Sequence, residues 1–200
     1  MICAAQRRIQ GRLGFHRLTE LCKSPHSGAS MGDCLKIFWG GKMELSKEEI
    51  LVKRLIGRGE RIAFAESCTG GLAAARLINV PSASYVINES FITYSNEAKV
   101  KYLHVQPQTI RSHGVVSEEV AGEMALGAAS AAGCEIGVGI SGIAGPSGGT
   151  KNKPVGMVCF GFCVNGSVST RTRQFGAAGR NEVRRMAVEF VYDRLLELTI

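Results

Sequence analysis

Two hundred residues, 45% hydrophobic and 20% charged, give room for one globular domain and a short extension. A chain of that length buries roughly 70% of its unfolded surface, so neither a disulfide nor a metal is needed to hold it folded. No apolar run approaches the ~20 residues of a membrane span, and the scarcity of aspartate (Asp33 and Asp193 alone) counts against Asp-ligated metal sites and Asp-dependent triads.

The net charge of +7 is unevenly placed. Residues 1–42 carry seven Lys/Arg against Glu20 and Asp33, whereas residues 43–200 carry 17 basic and 15 acidic side chains. Nucleic-acid binders concentrate basic charge on the folded domain. Here the excess lies in the N-terminal segment, so no specific nucleic-acid partner is expected. That segment has no sustained period and contains the turn-rich patch Ser24-Pro25-His26-Ser27-Gly28. It reads as a basic, poorly ordered extension, either transit-like or lying upstream of a start at Met43, and residues 43–200 read as the domain. Seven cysteines without a Cys-x-x-Cys pair form no disulfide framework, which points to a reducing, cytoplasmic setting.

Regular patterning begins at Ser46, which forms a capping box with Glu49 ahead of the apolar stripe Ile50, Leu51, Leu55 and Ile56. Arg61 to Ala65 reads as a buried strand and Thr69 to Leu77 as a helix. Tyr85 to Tyr94 is β-rich. Helices are expected over Asn96–Leu103, from Pro107, and from Ser117 to Ala132 with Gly133 as the stop. Cys134 to Ser141 reads as a strand, and 155–164 with 168–175 as a hairpin about Asn165-Gly166. Asn181 to Leu198 closes the chain as an amphipathic helix. Early alternation and a late hairpin give the α/β class, a mixed sheet covered by helices on both faces.

Several motifs fail on context. Gly137, Gly139 and Gly142 satisfy Gly-x-Gly-x-x-Gly, but the first two fall inside a strand and no acidic ribose ligand follows. The loop 145–151 lacks the Gly-Lys-Ser/Thr ending of a phosphate loop. No His pair has zinc spacing, and no metal is expected.

Three segments survive. Ala65-Glu66-Ser67-Cys68-Thr69-Gly70-Gly71 joins a strand to a helix, where free backbone N–H groups can hold an anion or the oxyanion beside a Ser67 nucleophile; helix capping by Ser67 or Thr69 is the plainer alternative. Thr93-Tyr94-Ser95-Asn96-Glu97-Ala98-Lys99 also closes a strand, so by the parallel-sheet rule it faces the same crevice. Its Tyr94 and Lys99 supply a phenol and an amine for proton transfer once desolvated, or else a solvated lysine beyond a capped helix. The loop Ser141-Gly142-Ile143-Ala144-Gly145-Pro146-Ser147-Gly148-Gly149-Thr150 leaves room for a ligand, or serves as a connector.

Together with His-Gly-Val-Val-Ser at 113–117 and Lys-Pro-Val-Gly at 153–156, these segments resemble the C-terminal domain family of the competence/damage-inducible protein CinA, over about residues 45–198. The resemblance implies a three-layer α/β/α sandwich. It also implies hydrolysis of the carboxamide of nicotinamide mononucleotide to nicotinic acid mononucleotide and ammonia, as in stand-alone nicotinamide-nucleotide amidases, with no cofactor. The family's serine–lysine machinery maps onto Ser67 and Lys99, with Tyr94 in support. On this footing the N–H groups of Thr69, Gly70 and Gly71 bind the tetrahedral oxygen. Ser141, Gly142, Gly145, Gly148 and Gly149 hold the nucleotide, with Lys151 or Lys153 beside its phosphate. The partner is then a small pyridine nucleotide; no membrane is expected, and a homo-oligomer is compatible with the sequence. Three rivals stand beside this reading: Cys68 as nucleophile, a non-catalytic nucleotide- or partner-binding module, and a basic nucleic-acid binder.

Overall fold

The computed structural model describes residues 44–200; the basic segment 1–42 lies outside them. Helix α1 (Lys47–Arg58) starts on the anticipated capping box, with Ser46 accepting from Glu49 N–H and the Glu49 side chain accepting in return. The chain then runs through β1 (Ile62–Glu66), α2 (Leu72–Ile78), a 3₁₀ turn (Ala83–Tyr85), β2 (Phe91–Ile92), α3 (Asn96–Leu103), α4 (Pro107–His113), α5 (Glu118–Ala132), β3 (Ile136–Gly142), β4 (Met157–Val164), β5 (Ser167–Gln174) and α6 (Arg180–Leu198).

The sheet has the order β2-β1-β3-β4-β5. Strands β2, β1 and β3 are parallel; β4 pairs antiparallel with β3, and β5 antiparallel with β4. The β4–β5 turn is made by Asn165 and Gly166, both at positive φ, as the Asn-Gly pair demands.

Most of the β-rich segment 85–94 is not strand. Ile62 N–H donates to Val86 C=O at 2.8 Å, but Phe64 N–H finds the Ser90 hydroxyl at 3.1 Å instead of a carbonyl. With a side chain standing in for the backbone, the ladder breaks, and pairing resumes only where Ala65 and Glu66 lie beside Phe91 and Ile92.

Strand alternation sorts the core into two layers by size. Ile62, Phe64, Val138, Ile140, Phe160 and Phe162 pack against α1, α2 and α6. On the opposite face Ala63, Ala65 and Cys163 accompany Gly137, Gly139 and Gly161 under α5. The glycines have a steric reason. A Cβ on Gly137 would fall 2.0 Å from Ala125 O, and one on Gly139 or Gly161 would fall 2.1 Å from Ala121 O. The α5 backbone thus rests directly on the sheet, which is the use of the Gly-x-Gly pair that a dinucleotide reading cannot supply.

Candidate active site

At the C-terminal end of β1 the chain turns sharply through Ser67–Gly71 into α2. Ser67 N–H donates to Ile140 C=O at 3.0 Å, which fixes the serine to β3. The next parallel strand ends at Thr93, whose N–H donates to Glu66 C=O at 2.9 Å. Its carbonyl in turn accepts from Lys99 Nζ at 2.7 Å. Lys99 lies on the first turn of α3, capped by Ser95. Its side chain is fully buried, and Nζ lies 3.3 Å from Ser67 Oγ. Burial pushes the Lys99 ammonium down to about 8, weakly opposed by Cys68 and Glu97. At pH 7 the neutral fraction rises from about one in three thousand to about one in ten. Cys68, by contrast, is buried and its thiol is pushed up to about 11, so it supplies little thiolate.

A cleft of about 420 Å³ opens above Ser67. Its walls are Cys68, Tyr94, the 114–116 segment, the 142–150 loop, Lys153 and Arg180 at the start of α6. Ser67, Tyr94, Gly142, Gly145 and Gly148 therefore meet there as anticipated, with Lys99 beneath the serine. A larger hollow of about 670 Å³ between α2, the 3₁₀ turn and β2 is lined mainly by apolar groups and lacks both Ser67 and Lys99; the smaller cleft is the one with chemistry.

The structure distributes the remaining expected residues differently. Gly70 N–H donates to Ser67 C=O and Gly71 N–H to Glu66 Oε2, so neither amide is available to an oxyanion. In this turn only Cys68 and Thr69 keep backbone N–H groups without an acceptor among the described residues. Thr69 itself is fully buried, as is its unpartnered hydroxyl oxygen. Ser141 does not face a ligand: its hydroxyl donates to Val115 C=O at 2.7 Å and ties β3 to the 113–117 segment. Gly149 packs against Val155, whose N would lie 2.8 Å from an added Cβ. Lys153 Nζ donates to the carbonyls of His113 and Val116, stitching the glycine loop to the same segment. Tyr94 is 63% exposed at the cleft mouth and its hydroxyl accepts from Arg180 Nη2 at 3.0 Å, while Arg180 Nη1 donates to Gly145 C=O at 3.1 Å.

Residues 44–199 match the CinA C-terminal domain. The chain belongs to that family. A CinA-like protein of Kosmotoga olearia is 50% identical over 153 residues, 76% of this chain and 37% of that relative. This chain thus spans a little over a third of the length of such curated relatives. Among solved structures, a competence/damage inducible protein from Agrobacterium tumefaciens is 36% identical, with a TM-score of 0.72 over 79% of this chain and 100% of its own. A CinA superfamily protein from Klebsiella pneumoniae is 35% identical, with a TM-score of 0.73 over 78% and 98%. The mixed five-stranded α/β sandwich is the CinA-family fold. Among the described residues no helix is long and apolar enough to cross a membrane.

The sequence alone gave no role to four features around this candidate site: Arg180 and the 114–116 wall, which line the cleft, and Glu66 and Arg184, which hold the Ser67–Gly71 turn. Arg184, from α6, donates to Thr69 C=O at 2.9 Å. The His-Gly-Val-Val-Ser motif signalled the wall, and a carboxylate ending an otherwise apolar strand signalled Glu66. Nothing local to residues 175–185 marks Arg180, because only the fold carries the start of α6 over the cleft.

Proposed function

We propose that this CinA-family domain hydrolyses the carboxamide of nicotinamide mononucleotide, with Ser67 as nucleophile and Lys99 as general base. The observation that carries this reading is the buried amine 3.3 Å from Ser67 Oγ at the floor of a cleft. In its neutral form Lys99 has two hydrogens and one lone pair. One hydrogen is held by Thr93 C=O, which leaves the lone pair free to accept the Ser67 proton.

Ser67 Oγ then attacks the carboxamide carbon as its proton passes to Lys99 Nζ. The N–H groups of Cys68 and Thr69 bind the developing oxyanion; one such donor is commonly worth ~3–4 kcal/mol in the transition state. As the intermediate collapses, Lys99 gives the proton to the departing nitrogen and ammonia leaves. Water attacks the acyl-enzyme, passing its proton to Lys99, and the second collapse frees nicotinic acid mononucleotide and returns the proton to Ser67. Lys99, 3.3 Å from Ser67 Oγ, carries both transfers, while Tyr94 stands at the cleft mouth beside Arg180. Arg180, at the opening, is the cation for the ribose phosphate. Ammonia release from nicotinamide mononucleotide tests the reading: the wild-type protein yields ammonia and Ser67→Ala does not. Equal turnover by the two proteins would overturn it.

A further inference from the structure

Glu66 is buried at 1% exposure, beside the nucleophile, and the chemistry above leaves it unused. Strand register puts it in the row with Ile140 and Phe160, on the face covered by α1, α2 and α6. An ionised carboxylate in such a layer needs hydrogen-bond donors. It has three, all backbone: Gly71 N–H at 3.0 Å and Ala73 N–H at 3.1 Å on Oε2, and Ala74 N–H at 2.9 Å on Oε1. The positive end of α2 is therefore occupied by the protein's own carboxylate and is closed to a substrate anion. On the far side of the turn, Arg184 Nη2 holds Thr69 C=O at 2.9 Å. The five residues 67–71 are thus clamped from α2 through Glu66 and from α6 through Arg184, while Cys68 and Thr69 N–H stay uncommitted.

We infer that Glu66 and Arg184 are positioning residues that fix the Cys68 and Thr69 amides relative to Ser67 Oγ, so that their removal slows acylation of Ser67 without weakening substrate binding. The inference rests on the reading of Ser67 as the nucleophile. Glu66→Gln is nearly isosteric, yet it turns one acceptor oxygen into an NH₂ that faces backbone N–H groups. The Gly70–Gly71 peptide plane, two planes on from the one carrying Thr69 N–H, then loses its anchor, and the turn before it is free to shift. Arg184→Met keeps the aliphatic packing of the side chain and removes the Thr69 clamp together with an exposed bond to Asn181 Oδ1 one helical turn away.

The test measures two rates for the wild-type chain and both variants. The first is ammonia release from nicotinamide mononucleotide, resolved into kcat and KM. The second is covalent labelling of Ser67 by an alkyl fluorophosphonate, followed by intact mass. In labelling, the Ser67 Oγ–P bond forms, the P–F bond breaks, fluoride leaves and the serine proton goes to Lys99; the P=O oxygen occupies the oxyanion position. Expected in each variant is a fall in kcat and in labelling rate of about 10- to 100-fold, with KM within about threefold. Rates per folded protein at wild-type level overturn the inference whatever happens to the melting temperature, because a merely structural role lowers Tm alone. Should Glu66→Gln fail to fold, Arg184→Met decides. A wild-type chain that labels but releases no ammonia overturns the substrate assignment and leaves the positioning inference to the labelling rates. A wild-type chain that does neither overturns both.

Discussion

On one face of the sheet Phe64, Val138 and Phe162 stand in register beneath α6; in the adjacent row, one residue on in β1 and β3 and one residue back in β4, Ala65, Gly139 and Gly161 stand in register beneath α5. The same sheet end also buries a carboxylate and an amine, Glu66 on the bulky side and Lys99 on the small side. Glu66 has three backbone donors, whereas Lys99 has one carbonyl and one hydroxyl. Those bonds engage both carboxylate oxygens. The amine is left with burial as the dominant influence and moves toward neutrality. The bulky layer supplies most of the buried apolar area, and the small layer supplies position. Gly127 of α5 lies so close to Leu103 that an added Cβ would sit 2.1 Å from its carbonyl oxygen, so α5 sets the seat of the helix that carries Lys99.

The sharpest break in that comparison is chemical. Lys99→Met fills the same buried space with an apolar chain, and hydrolysis should fall by about 10³-fold or more, measured as ammonia release per folded molecule. Next comes the bulky layer: Phe162→Ala should lower unfolding free energy by about 3–5 kcal/mol in urea titration, with kcat of the folded fraction nearly unchanged, because the cavity opens on the α6 side. Gly139→Ala reverses the balance. Its Cβ must displace α5, costing about 1–3 kcal/mol, yet kcat should drop several-fold more than Phe162→Ala lowers it, because α3 moves with α5. Equal effects of the two substitutions on kcat would erase the division between the layers.

The smallest effect is a slope. Burial brings the Lys99 ammonium down to about 8 in the folded chain, from 10.5 for an exposed lysine. Between those values the unfolded chain binds more protons, so stability rises with pH; below about pH 8 the full penalty of charging the buried amine is present. Urea midpoints should therefore climb from pH 8 to pH 10 in the wild type and climb less in Lys99→Met, with the variant the more stable of the two at pH 7. The acid limb of the rate profile should fall at a similar pH, as protonation removes the base. Parallel midpoint curves would show that Lys99 is not the group neutralised.

Much of this was legible in the residues. Capping at Ser46, Ser95 and Ser117, the stop at Gly133 and the Asn165-Gly166 hairpin depend on contacts within a few positions, and each forms as its residues dictate. Ser67 and Lys99 were legible for a related reason: both follow strand ends, and parallel strands deliver their C-terminal ends to one crevice. Long-range geometry decided the rest. That the Gly71 amide is taken, with those of Ala73 and Ala74, depends on the Glu66 carboxylate folding back onto α2. That Ser141 serves Val115, and that Arg180 reaches Tyr94 across 86 positions, depends on where β3 and α6 are packed. Local preference is encoded within a turn of the chain, but the partner of a buried polar group is chosen by which elements the core has already brought together, and no single segment contains that choice.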